Sequence, residues 1–198
     1  MKQKITETTF ILASLYYLIA EAICVINFKD TIVNTYIYHT ISELGIPGSN
    51  SPTYFLMNTA FILIGLALLF DNYYKIKDYI IKNNIIFYIL TLITSLGVII
   101  VGLIHGGNPL TSGYHTSGAV MAILGGNILL IITSRSMKDF RQYQQITLVL
   151  GIIGLLMFWI MFFSMGSPYM PVYERLSVYT LIIWSLITGI YLLKNNIE

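Results

Sequence analysis

The amino-acid sequence predicts an all-α polytopic membrane protein: six transmembrane helices in an antiparallel bundle, both termini cytoplasmic, with a short interfacial helix in the first outer connector. Three observations carry this expectation. Hydrophobic residues make up 56% of the 198-residue chain and charged residues 10%, against about 25% charged in a soluble domain. A surface so poor in charge suits hydrocarbon rather than water. Six apolar runs of helix length punctuate the chain, and Lys and Arg are shared unequally between the two sets of connectors.

The runs are Phe10 to Phe28, Thr53 to Phe70, Ile85 to Ile104, Thr116 to Ser134, Ile146 to Met165 and Tyr173 to Leu193. At a rise of about 1.5 Å per residue, each is long enough to cross roughly 30 Å of hydrocarbon. None alternates with period two, and only helices and closed barrels cross lipid, so the runs are helices. The first follows Met1, Lys2, Gln3 and Lys4 in the manner of a secretory signal. Its length and the lack of a small-residue cleavage site instead assign it to the bundle. Cys24 lies inside this run without a lipid-attachment pattern before it, and as the single cysteine it has no intrachain disulfide partner. It reads as a small core residue. No composition shift marks a boundary, so residues 1–198 are expected to form one six-helix domain.

Basic residues are retained on the cytoplasmic side of a membrane. Lys2, Lys4, Lys75, Lys77, Lys82, Arg135, Lys138, Arg141 and Lys194 fall on one side of the predicted bundle, and Lys29 and Arg175 on the other. The N-terminus is therefore expected inside, and an even number of crossings returns the C-terminus there. A multi-pass protein of the cell (plasma) membrane is the expected class, with the lipid bilayer as its first partner. The net charge of +2 is scattered through short connectors, which excludes a nucleic-acid groove. Glycines such as Gly65, Gly97, Gly102, Gly106, Gly125, Gly126, Gly151 and Gly154 are expected to let helices approach one another. No strand precedes them, so no nucleotide-cofactor loop is read, and no cofactor is expected.

Most residue types with chemistry fall on the predicted outer face. In its first connector Val33, Ile37, Ile41 and Leu44 recur at helical spacing, as in an amphipathic helix on a membrane surface. Ser51-Pro52 is expected to cap the second span. His39, His105 and His115 all lie on this side, although none shares a metal-ligand spacing with another, so they are weak metal candidates and no metal site is read. Within the spans Glu21, Asn58 and Asn127 are polar. A charge in hydrocarbon must be partnered or neutralised. Glu21 and Asn58, at similar depth about 10 Å below the outer boundary, are expected to hydrogen-bond. Asn127 reads as adhesion between helices. Glu174 opens the last span at a helix N-terminus, and Arg175 is expected to pair with a carboxylate of another outer connector.

Several short strings, in order and spacing, resemble a known family. They are Ile-Ser-Glu-Leu-Gly at 41–45, Ser51-Pro52, Asn58, Val-Gly-Leu at 101–103, Gly-Tyr-His-Thr-Ser-Gly-Ala at 113–119, Gly126-Asn127 and Glu-Arg-Leu-Ser-Val-Tyr at 174–179. The family is the six-helix integral membrane family catalogued as domain of unknown function nine-nine-eight, and the resemblance spans nearly the whole chain. It implies a six-helix bundle and marks Ser42, Gly45, Asn58, His115, Glu174 and Arg175, without an established activity. His39 matches no motif, and His105 stands where relatives commonly carry a nearby proline. Both departures weigh against a three-histidine metal site.

Three functions are compatible with these residues. The first is an outward-facing polar pocket that binds a lipid headgroup or envelope component, or an accessory subunit that meets another membrane protein; its candidates are Glu21, Asn58, His115, Glu174 and Arg175. The second is an outer-leaflet hydrolase or transferase, with His115 as acid or base, Ser42 as nucleophile and Glu174 as orienter. Ser42 lacks the glycines of a nucleophile elbow. The third is a transporter of a proton or small solute, with Glu21 as the titrating group and the chain acting as a homodimer.

Overall fold

Hydrocarbon offers no hydrogen bonds, so a chain that crosses it must satisfy its backbone within each segment. A computed structural model describes residues 8–48, 50–80, 82–136 and 141–195, and among these the regular structure is helical, without a strand. The helices are α1 (Thr9–Ile26), α2 (Ile32–Tyr38), α3 (Tyr54–Tyr74), α4 (Asn84–Leu103), α5 (Ser112–Ser136), α6 (Arg141–Phe163) and α7 (Met170–Asn195). Short 3₁₀ turns occupy Ser42–Gly45 and Ile76–Tyr79. All but α2 are long and apolar enough to cross a membrane, and the protein is a multi-span helical membrane protein. Lys2, Lys4 and Lys138, used above to orient the chain, lie outside the described residues.

The six long helices close into a ring. Each packs on its neighbours in chain order from α3 through α7, and α1 closes the ring against α3 and α7; α5 and α7 also touch across it. Polarity is distributed for lipid. Ser14, Glu21, Asp71, Asn72, Asn127, Arg175 and Ser177 are buried, whereas Leu12, Ile19, Ile26, Val149, Leu156 and Phe163 are exposed. The least buried span is α6, whose exposed side chains from Ile146 to Phe163 are all apolar.

Several local expectations are corrected. The apolar spacing from Val33 to Leu44 does not make one helix: α2 stops at Tyr38, His39 is extended at φ −116°, ψ 135°, and a 3₁₀ turn follows. The reason is competition for backbone groups, because the Tyr36 and His39 carbonyls accept from Arg175. Ser51 is not the cap of the second span. Its hydroxyl donates to the Leu44 carbonyl at 2.6 Å, and α3 begins only at Tyr54. At the other end α3 continues past Phe70 to Tyr74, carrying Asp71 and Asn72 into the interior. There Asp71 accepts from the Phe10 backbone N–H, an orphan donor at the start of α1, and Asn72 donates to Thr91 at 3.2 Å. The fourth span starts at Ser112, before its apolar run, where the Asn108 carbonyl accepts from the Ser112 N–H and the Thr111 carbonyl from those of Tyr114 and His115.

Helix approach is closest between α4 and α5. A Cβ at Gly97 would lie 2.6 Å from Ala122 N and 2.7 Å from the Gly118 carbonyl oxygen, and backbone cannot swing aside as a side chain can. Gly102 and Gly106, though spaced like a packing pair, serve different partners: Gly102 meets α3, and Gly106 lies beyond α4 against the His115 ring. We expect Gly97→Ala to destabilise the bundle by about 1–3 kcal/mol, the usual cost of overpacking. Gly113→Ala, with open space around it, should be neutral or slightly stabilising. Thermal unfolding in lipid nanodiscs compares the two; equal midpoints for both variants would contradict the close approach.

Candidate functional site

The polar residues gather where the connector at 27–53 crosses one end of the bundle. Glu21 and Arg175 come from facing turns of α1 and α7. The Arg175 Nε donates to Glu21 Oε1 at 3.1 Å, and the Tyr179 hydroxyl donates to Glu21 Oε2 at 2.9 Å. Glu21 is 1% exposed and Arg175 4%. Each charge is therefore met by its opposite inside a region that would otherwise neutralise it. Arg175 then reaches across to the connector: Nη1 donates to the Tyr36 carbonyl at 3.0 Å and to the His39 carbonyl, and the guanidinium lies 5.3 Å from the Tyr36 ring centroid. Its Nη2 is buried and has no hydrogen-bond partner among the described residues.

Other side chains fasten the same connector. Glu174 Oε2 accepts from the Ile41 N–H at 2.9 Å, and Ser51 Oγ holds the Leu44 carbonyl. Asn58 Nδ2 donates to the Gly45 carbonyl at 2.9 Å. A Cβ at 45 would fall 2.2 Å from Asn58 Oδ1, so a larger residue there must displace the Asn58 side chain. Two sequence pairings are thus corrected: Glu21 bonds to Arg175 and Tyr179 rather than Asn58, and the carboxylate that Arg175 meets belongs to a span rather than a connector. The physical reason is depth. A buried carboxylate needs a charged donor, and an amide supplies only a neutral one.

The three histidines separate. His39 sets Nδ1 2.7 Å from Glu43 and Nε2 3.3 Å from Asp30, with its ring 4.7 Å from that of Phe28. The Asn34 side-chain amide, and after it the Thr31 N–H, hold the Asp30 carboxyl below its ordinary range. His115 is buried and donates from Nδ1 to the Ile104 carbonyl, closing the end of α4. His105 Nδ1 is buried and has no hydrogen-bond partner among the described residues. Among the described residues no cluster of His, Cys, Asp and Glu is placed to hold a metal ion.

Beneath the connector lies a cavity of about 50 Å³ between α1, α3, α4, α5 and α7, roofed by Ile41 and Ser42. Its walls are largely apolar, including Phe61, Ile64, Val98, Val101 and Leu181. Its polar lining consists of Tyr17, Ser42, Glu174, Asn127 and Ser177. The last two are occupied with one another: Asn127 Nδ2 donates to Ser177 Oγ at 3.1 Å, Asn127 Oδ1 accepts from Thr180 at 2.7 Å, and Ser177 donates to the Gly154 carbonyl at 2.7 Å. Asn127 thereby joins α5, α6 and α7. Ser42 makes its hydrogen bond with Thr40 at 3.2 Å.

Of the sequence candidates, Ser42 and Glu174 share the cavity, while Asn58, His115, Glu21 and Arg175 are not among its lining residues. Ser42, His115 and Glu174 make no hydrogen bond to one another. Sequence reasoning overlooked Tyr17, Tyr36 and Asp71. Tyr17 was within reach, since it precedes Glu21 by four residues and so shares its helix face.

A family model described as a protein of unknown function (DUF998) matches residues 11–191. No curated protein and no solved structure matches the chain.

The ion pair makes a testable demand. Arg175→Met strands the Glu21 charge and should cost roughly 3–5 kcal/mol. The double variant Glu21→Met, Arg175→Met should recover part of that loss. Unfolding midpoints in bicelles measure both; a double variant no more stable than Arg175→Met alone would show that the two residues are not coupled.

Proposed function

The chain belongs to the DUF998 family of membrane proteins, whose function is unknown, and from its geometry we propose that it binds an amphipathic molecule, a lipid or other envelope component, at this cavity. The observation that carries the reading is the cavity's construction: an apolar space enclosed within the helix ring under the connector, with Ser42 and Glu174 among the residues around it. Small-molecule sites are usually concave and lined mostly by apolar side chains, as this space is. At about 10–15 Å³ for each water-sized sphere, the space takes roughly four such spheres. It suits a short chain or the end of a longer one, not a whole lipid.

Binding without chemistry is favoured over hydrolysis or transfer because His115 is spent on the end of α4 and lies outside the cavity lining. Proton transport through Glu21 is disfavoured because both of its oxygens accept hydrogen bonds, one of them from a guanidinium.

The cavity faces outward in this reading, with both termini cytoplasmic, as the Lys and Arg distribution supports. In a Cys24→Ala background, Leu110→Cys, which is exposed at the connector end of the bundle, should react with a membrane-impermeant maleimide on intact cells. Lys194→Cys should react only after permeabilisation. The opposite pattern would invert the protein.

Occupancy is tested by filling the space. Ala122 lines the cavity, and Ala122→Leu should expel the ligand while shifting stability by no more than about 1–3 kcal/mol in either direction. Native mass spectrometry of protein extracted into nanodiscs should show a bound small mass on the wild type, reduced at least about tenfold in the variant, a change worth 1.4 kcal/mol. No bound mass on the wild type, or equal occupancy of both, would remove the basis for this reading.

A further inference from the structure

The connector that crosses the helix ring holds a titratable ring between two carboxylates. We propose that His39 is a proton-operated latch: as an imidazolium it clasps the start of the connector to the 3₁₀ turn at the cavity roof, and as a neutral ring it releases one of the two.

The geometry asks for two ring protons. His39 Nδ1 lies 2.7 Å from Glu43 Oε2, and Nε2 lies 3.3 Å from Asp30 Oδ2. A carboxylate only accepts hydrogen bonds, and a neutral imidazole has one N–H to give. The imidazolium, with a donor on each nitrogen, satisfies both contacts. In the neutral ring the proton belongs on Nδ1, at the shorter contact, which leaves the Nε2 lone pair facing another acceptor. The ring has little freedom to turn away, because it packs 4.7 Å from the Phe28 ring and its own carbonyl is held by Arg175. Nor does Asp30 repair the mismatch by taking up the proton. Its Oδ1 accepts from the Asn34 side-chain amide at 3.0 Å and from the Thr31 N–H at 2.7 Å, which hold its carboxyl below the ordinary range. Imidazoles titrate between about pH 5 and 8, where such a carboxylate is charged.

The two ties fall on either side of the roof. Asp30 precedes α2 and Glu43 lies in the 3₁₀ turn, while Ile41 and Ser42, between His39 and Glu43, cover the cavity. His39 and Glu43 also line an open cleft of about 420 Å³, through which protons reach the ring. Of the other charged groups at this end, Arg175 meets the His39 carbonyl, Glu174 the Ile41 N–H, and Glu21 is sealed by Arg175 and Tyr179. Lys29 is exposed, with its N–H on the Asn50 carbonyl. The sign follows by linkage: the closed connector binds the ring proton more tightly than an open one, so falling pH favours closure and rising pH favours release. Protonating Glu174 would weaken its hold on Ile41 and act in the opposite direction. Where the cavity binds a ligand as read above, the latch governs entry; the latch itself needs no ligand.

Hydrogen exchange of residues 40–46, in the full chain in phosphatidylcholine nanodiscs, tests it without any ligand. Protection is taken as the ratio of wild type to His39→Gln at each pH, which cancels other titrations. That ratio should be about two- to fivefold larger at pH 5.5 than at pH 8, the scale of one half-exposed ion pair. Asp30→Asn keeps an oxygen for Thr31 and Asn34 and removes the charge. It should flatten the pH dependence, and it serves as the second variant if His39→Gln does not fold. Nitrogen-15 spectra of the labelled ring should show both nitrogens protonated at pH 5.5 and Nδ1 alone at pH 8. Equal ratios at the two pH values, or a ring already neutral at pH 5.5, overturns the latch while leaving the binding reading intact. Loss of the bound mass sought above removes the binding reading and leaves the latch standing.

Discussion

Arg175 is held 4% exposed where α1, α7 and the 27–53 connector meet, and the organisation of that end of the bundle follows from satisfying it. A guanidinium inside hydrocarbon is tolerated only with a counter-ion and acceptors for its remaining N–H groups. Glu21 supplies the charge and Tyr179 completes the carboxylate. The acceptors come from backbone: the Tyr36 and His39 carbonyls turn toward Arg175, which ends α2 and draws the connector over the helix ring. One side chain thus ties the first span to the last and sets the roof of the cavity.

The remaining polar residues at this end extend the same principle. Glu174, Asn58 and Ser51 each meet one backbone group of the connector. Irregular backbone near a membrane interior survives only where protein groups replace the missing water. Residues that look like catalytic candidates by type are therefore largely employed as backbone partners. Against that background the Tyr17 hydroxyl and the second oxygen of Glu174 stand out, because among the described residues neither has a hydrogen-bond partner.

The fold class was legible because lipid imposes it through length and composition, properties a linear sequence displays directly. The six apolar runs and the packing role of Asn127 follow from counting residues along a helix. The partner of Glu21 was not legible, since α1 and α7 are separated by nearly the whole chain and hydropathy does not say which spans become neighbours. Nor was the break after Tyr38: apolar spacing is continuous from Val33 to Leu44, and only an arginine 136 residues further on competes for the carbonyls. Asp71 was missed because an apolar window ends where hydropathy falls, whereas the helix continues until its hydrogen bonds do.

By itself, then, the sequence determined that the chain spans a bilayer six times as helices and that its family is one of membrane proteins, because hydrocarbon admits few backbone solutions. Which polar groups meet was decided only in three dimensions. Closing the ring brings α1 against α7, seals Glu21 with Arg175, divides the histidines among separate tasks and leaves Tyr17, Ser42 and Glu174 around one cavity. The physical reason is that burial lends each polar group its consequence, and burial belongs to the packed helices rather than to any one of them.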